Sequence, residues 1–301
     1  MAVSGDQYEL VHGDQRLVAV GVGGGLRTYT VADRPVLDGY GEDELCPAAA
    51  GQLLAPWPGR VAGGRYAFEG ATHQAALDEP EHGNAIHGLV RWLRWEPLER
   101  SNEAIALRAA LAAQPGYPQP LELTVTYRLD GAGLTAEHTA TNSGDGAAPF
   151  GFGAHPYLMH PGLAVDELLL GLPAERTLTF DPNRIPVGET GVAEAGLDFR
   201  KPAVIGDRVI DATFTGLERD NDGRVRVTLA APDGPVLTVW ADLTFRWIQV
   251  FTADTIPGNR HRRAVAIEPM TCPGNAFNSG RDLLVLEPGQ TWRGVWGITL
   301  S

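Results

Sequence analysis

The sequence predicts an all-β protein, a large antiparallel β-sandwich, and three observations carry that expectation. Glycine (37) and proline (22) are plentiful and spread along the whole 301-residue chain, so they cut it into short segments at close intervals. Helical periodicity is poor nearly everywhere. Several segments alternate apolar and polar residues and are joined by turn residues, as hairpins are. Two packed antiparallel sheets are what such segments build. No repeat, low-complexity run or linker divides the chain, and large all-β domains often exceed the usual size. Residues 1–301 are therefore expected to form a single domain.

The elements follow in chain order. "GVGGGL" (21–26) is glycine-rich like a phosphate loop, but it lacks the lysine and the following helix, so it reads as a turn. Residues 103–113 could pass as a short helix, yet the hairpin after them favours a strand. "LELTVTYRL" (121–129), "DGAG" and "LTAEHTATN" (134–142) form that hairpin. "RVRVTLAAPDGPVLTVWAD" (224–242) reads as a second hairpin with "PDGP" at its turn. "TFRWIQVFT" (244–252) and "RAVAIEPM" (263–270) read as strands, and "LEPGQTWRGVWGITL" (286–300) as a turn and a strand.

Composition excludes several functions. A net charge of −13 argues against nucleic acid and anionic membranes, which attract basic patches, and mildly against polyanionic substrates. The start, "MAVSGDQYEL", has no basic and then apolar run of the signal-peptide kind, and no apolar stretch approaches the ~18 residues of a membrane helix. Only Cys46 and Cys272 occur; they could bridge, but nothing in their spacing demands it, and a reducing compartment is the simpler reading. A cytoplasmic protein is expected, as a monomer or homodimer.

Strand parity then selects polar residues. In "FGFGAHPYL" (150–158), Phe150, Phe152 and Ala154 share one face, while Gly151, Gly153 and His155 share the other. That second face is bare beside the histidine, so a ligand has room to approach, and Pro156 restrains His155 to extended geometry. Glu268 sits likewise beyond Ala264 and Ala266 and directly before Pro269, opposite Val265 and Ile267. Trp247 and Gln249 share a face opposite Ile248 and Val250. An indole covering an apolar sugar face beside a hydroxyl-bonding amide is what a sugar site needs. His87 shares parity with Ala85 and precedes a glycine. Taken singly, each position has an ordinary structural reading: a bonded strand histidine, a solvated glutamate, a core tryptophan, a turn aspartate at Asp211 and a surface loop arginine at Arg60.

Neither metal nor nucleophilic catalysis has a motif. There is no HxH, HExxH or close cysteine pair, and the five-residue spacing of His82 and His87 puts them on opposite faces of a strand. There is no GxSxG, and neither cysteine lies near a histidine in sequence.

Together the segments resemble a family. "NAIHGLVRWLRWE" (84–96), "GFGAHPYL" (151–158) and "AIEPMTCPGNAFNSG" (266–280) look like the three signature segments of the aldose 1-epimerases, the galactose mutarotases, in the family's order and at about its spacing. "PGRVAGGRYAFEG" (58–70) resembles its arginine segment, "IDATFTGL" (210–217) its aspartate segment, and "LEPGQTW" (286–292) its close. The similarity runs from about Gly13 to the end and departs at Gly59, where many members have asparagine. The resemblance implies a β-sandwich that binds an aldopyranose without cofactor or metal. It makes Glu268 the general base and His155 the general acid, on opposite sides of the anomeric carbon. His87 would orient the sugar, and Arg60, Asp211 and Gln249 would hold ring hydroxyls. The expected activity is interconversion of the α and β anomers of an aldohexose such as glucose or galactose. A hexose-6-phosphate 1-epimerase is one alternative, with Arg65, Arg91 and Arg94 available, although phosphate-specific relatives resemble "HTYF" more than "HPYL". A non-catalytic sugar-binding protein of the same fold is the other.

Overall fold

The computed structural model describes residues 2–232 and 234–301. Met1 and Asp233, the latter in the expected "PDGP" turn, lie outside the described residues. Two long antiparallel sheets organise the chain. One has nine strands and is built around Leu121–Asp130 and Gly133–Asn142, which pair in register from Leu121↔Asn142 to Asp130↔Gly133. Its far half contains the second expected hairpin, Val225–Ala230 with Val236–Ala241. The closing strand Thr291–Leu300 joins the two hairpins by pairing with both. Residues 104–111 form a strand of this sheet, as the hairpin after them suggested.

The other sheet has eight strands and runs through Ala174–Phe180, Asp211–Leu217, Trp247–Phe251 and Val265–Met270. The alternation read from the sequence decides which face meets the core. Ile248, Val250, Val265 and Ile267 are buried in one apolar cluster with Leu123, Val125, Val227 and Val239 of the first sheet. That burial is the main driving force joining the sheets. The polar face of the eight-stranded sheet is thereby turned away from the core. A four-stranded meander of Gln7–His12, Gln15–Val20, Leu26–Val31 and Arg34–Pro35 adds to the N-terminal side. Among the described residues the one α-helix is the four-residue Ala276–Ser279.

Residues 150–158 differ from the expected single strand. They break into the end of Ala148–Phe150, then Gly153–Ala154 and Tyr157–Leu158, each with its own partners. Phe150, Phe152 and Ala154 do enter the core. The opposite, glycine side is not open, however. A Cβ on Gly151 would collide with Cys272 Sγ, and one on Gly153 would lie 2.9 Å from Pro58 Cβ. The glycines let the Pro56–Pro58 segment pack onto this chain, and Gly151 N–H donates to Pro56 O at 2.6 Å. The bare face expected beside His155 is filled by protein.

His82 and His87 also depart from strand geometry. His82 lies in a turn that closes back on Glu79, and His87 follows the two-residue strand Ala85–Ile86 with φ +62°. A parity argument needs extended backbone on both sides, and neither histidine has it.

Candidate active site

The polar face of the eight-stranded sheet floors a cleft of about 780 Å³. Cross-strand register builds the floor: Thr213 lies opposite Gln249, and Gln249 opposite Glu268. Gln249 is clamped between two neighbours. Its Oε1 accepts from the Thr213 hydroxyl, and its Nε2 donates to Asp211 Oδ1 at 2.7 Å. Asp211 pairs in turn with Arg184, whose guanidinium lies over the Phe180 ring at 5.1 Å and donates to the Asp211 carbonyl at 2.9 Å.

On the other side, Arg60 makes a two-pronged ion pair with Glu79, with contacts of 2.7–3.0 Å. Burial alone would raise the Glu79 pKa. The bonds and charge of Arg60 outweigh it and hold the carboxylate below its ordinary range. His87 is held by its backbone, with its N–H donating to Gly59 O at 2.8 Å, while its Nδ1 accepts from Gly59 N–H at 3.3 Å. Burial pushes its pKa well below the ordinary value, helped by His155, Arg91 and Arg60. A neutral ring that accepts at Nδ1 carries its proton on Nε2, so His87 is a donor toward a ligand.

His155 is fixed by two backbone bonds, to Gln52 O at 3.1 Å and from Gly51 N–H at 2.8 Å. Tyr157 stacks on its ring at 4.8 Å, and His87 meets it edge-on at 5.4 Å. Its Nε2 lies 3.3 Å from Glu268 Oε1. Both residues line the cleft yet are only 5 % and 3 % exposed. Burial pushes the Glu268 carboxyl well above its ordinary pKa. The Asp211 charge adds to this and Arg60 opposes it. Burial pushes His155 down to about 3. The low dielectric thus disfavours a net charge on either group. A pair carrying one proton is neutral overall wherever that proton sits. This differs from an acid and base facing each other across a ligand: the two stand side by side.

The cleft gathers Arg60, His87, His155, Asp211, Gln249 and Glu268. It does not include Trp247. That indole is 0 % exposed, packed with Leu178 and Met270, and its Nε1–H donates to Asp282 at 2.9 Å. Parity placed Trp247 on the right face of the strand, but it falls one row beyond the cleft. Phe251, Phe180 and Tyr157 are the aromatic rings of this sheet that line it. Glu79, Arg184, Thr213 and Tyr157 were not singled out from sequence. Thr213 and Tyr157 each lie two residues beyond a chosen residue, so extending the parity test would have found them. Glu79 and Arg184 sit on loops, where no periodicity operates.

Of the three arginines considered for phosphate, Arg91 lines the cleft but pairs with Asp78 at 2.7 Å. Arg94 pairs with Asp6, and Arg65 is exposed on a separate hairpin. Among the described residues no group of three or more His, Cys, Asp or Glu side chains is placed to hold a metal ion. Cys46 and Cys272 are both free, and burial pushes each thiol up to about 12. No described helix is long and apolar enough to cross a membrane.

The family described as aldose 1-epimerase matches residues 6–299. The chain belongs to the aldose 1-epimerase family. It is 36 % identical over 299 residues to "Uncharacterized protein YihR" of Escherichia coli K12, covering 99 % of this chain and 94 % of that one. It is 27 % identical over 234 residues to human galactose mutarotase, covering 73 % of this chain and 66 % of that one. In fold it is similar to a GalM/aldose epimerase homologue from Caenorhabditis elegans (TM-score 0.88, 18 % identity, 98 % of each chain). It is also similar to galactose 1-epimerase from Lactobacillus acidophilus (TM-score 0.81, 19 % identity, 97 % of this chain and 93 % of that one). Aldose 1-epimerases are isomerases that act on sugars, and the nearly all-β antiparallel architecture is that of the family.

Proposed function

We propose that the protein is an aldose 1-epimerase that interconverts the α and β anomers of an aldohexose through Glu268 and His155, acting as one 1–301 unit. The observation that carries this reading is the buried 3.3 Å contact between Glu268 Oε1 and His155 Nε2 on the cleft wall. Mutarotation removes the proton of the anomeric O1 hydroxyl and adds one to the ring oxygen O5. Both oxygens are bonded to the same carbon, so an acid and base standing side by side suit them.

Before the sugar enters, burial favours the proton on Glu268. Sugar hydroxyls that donate to the carboxylate favour the tautomer in which Glu268 is ionised and His155 protonated. Glu268 then takes the O1 proton as O1 forms its double bond to C1. The C1–O5 bond breaks, and O5 takes the proton from His155 Nε2. The pair ends with its proton on Glu268, the arrangement that burial favours. Rotation about C1–C2 presents the other face of the aldehyde, and the reverse transfers close the ring. Each transfer contributes ~10²–10⁴ in rate. Arg60, Asp211, Gln249 and the Nε2–H of His87 are the hydroxyl partners; the Asp211–Gln249 bond, the Arg60–Glu79 ion pair and the His87–Gly59 bonds hold them in place without the sugar.

Polarimetry of freshly dissolved α-D-glucose and α-D-galactose tests the proposal. Catalysed approach to the anomeric equilibrium supports it. Equilibration at the uncatalysed rate, with sugar still bound, would instead indicate a binding protein. Comparing glucose with its 6-phosphate separates the neutral sugar from the phosphorylated one as substrate.

A further inference from the structure

The cleft is longer than the constellation just described. At about 780 Å³ it lies in the range that encloses drug-sized ligands, and its lining extends well past the proton-transfer pair and its hydroxyl partners. Beyond Phe251 and Tyr157, one step further along the strands, the cleft continues between the Cys46–Ala49 turn and the loop of Thr255, Ile256 and Pro257. Trp92 stands on its lip. It is the one tryptophan on the lining among the described residues, and it is 51 % exposed. A single half-exposed hydrophobic side chain is ordinary on a protein surface, so what gives this indole its meaning is its place on the lining of the cleft. Its flat apolar face fits the C–H face of a pyranose, while the nitrogen can stay in water.

The charges around this extension are already matched. Arg91 pairs with Asp78 at 2.7 Å, Arg260 with Glu44 at 3.3 Å, and Arg260 and Arg263 share Asp38 at 3.0 Å each. Such a surface offers hydrogen bonds without a net field, which suits a neutral hydroxylated group better than an anion. Arg91 also holds a buried Nε–H that no side chain or carbonyl among the described residues accepts.

We infer that the outer half of the cleft is a second sugar subsite, with Trp92 as its platform, and that the preferred substrates are reducing disaccharides. In these the ring with the free anomeric hydroxyl occupies the inner half, and a second neutral ring, joined through another hydroxyl, stacks on Trp92. This rests on the anomer-interconverting reading of the inner half.

The test compares kcat/KM for mutarotation of D-glucose and D-galactose with that of maltose, lactose and melibiose, in the intact protein and in Trp92→Ala and Trp92→Phe. At least one disaccharide should exceed both monosaccharides by about tenfold. Trp92→Ala should abolish that advantage, Trp92→Phe should keep part of it, and the monosaccharide values should move by less than about twofold. Disaccharides no better than monosaccharides would overturn the inference. So would a Trp92→Ala variant that loses both classes of substrate equally. If no sugar is turned over, the epimerase reading fails on its own, and calorimetric titration decides the subsite. Tighter binding of a disaccharide that Trp92→Ala weakens supports it, and equal binding of one ring and two overturns it.

Discussion

Asp211 shows how far residue-level reasoning reaches. By its type it could serve as an acid, a base or a hydrogen-bond partner. Its surroundings decide: its carboxylate is engaged by Arg184 and by the Gln249 amide. A carboxylate so held is a positioning and binding group. Asp211→Asn is therefore expected to raise KM for the sugar several-fold while lowering kcat less, as steady-state kinetics would show. A large fall in kcat at unchanged KM would place Asp211 in the proton transfers. Glu268, His155 and Gln249 were singled out in the sequence by strand alternation, whereas Asp211 was singled out only through the family resemblance. The pairing of these side chains was not legible. That Glu268 and His155 touch depends on two segments over a hundred residues apart. Trp247 marks the limit of parity, which selects a face of a sheet but not the row along it.

At the scale of elements, the glycines before His155 change meaning once neighbours are known. Gly151 and Gly153 read as a bare face, yet Cys272, Pro58 and Met270 occupy it. Gly151→Ala should destabilise the fold by about 1–3 kcal/mol, the usual cost of overpacking, measured as a lower urea midpoint. The strands and hairpins themselves were legible, because alternation and turn residues are local. The break of residues 150–158 into three pieces was not, because each piece follows a different partner strand.

The strand Gly133–Asn142 carries a further buried histidine. His138 accepts from Trp296 Nε1–H at 2.8 Å through its Nε2, and burial lowers its pKa to about 3. A histidine whose folded pKa lies below its unfolded value of about 6.5 costs stability as pH falls from 6.5 toward 3. The unfolded chain binds the proton there and the folded chain does not. His155 adds to this slope. Glu268, with its pKa raised, acts in the opposite sense: its contribution is present below the ordinary carboxyl range and is lost as pH rises. Urea unfolding at pH 7 and pH 4.5 isolates His138 by comparison with His138→Gln, which can still accept from Trp296. The intact protein should lose about 2–3 kcal/mol more between the two pH values than the variant does. Equal losses would show that His138 is not held neutral in the fold.

For the molecule as a whole, the two sheets bury their apolar faces together, and the polar face left over becomes the floor of the cleft. The proposed reaction uses only side-chain proton carriers on that floor, so dialysis against EDTA should leave the polarimetric rate unchanged. Loss of activity that zinc restores would contradict the proposed route. The most direct test replaces Glu268 with Gln, which keeps size and hydrogen-bonding capacity but cannot take up the anomeric proton. With circular dichroism confirming the fold, polarimetry of α-D-glucose should show kcat reduced by ~10²–10⁴ and sugar affinity changed by less than about tenfold. A folded Glu268→Gln protein that retained most of its mutarotation rate would contradict the account.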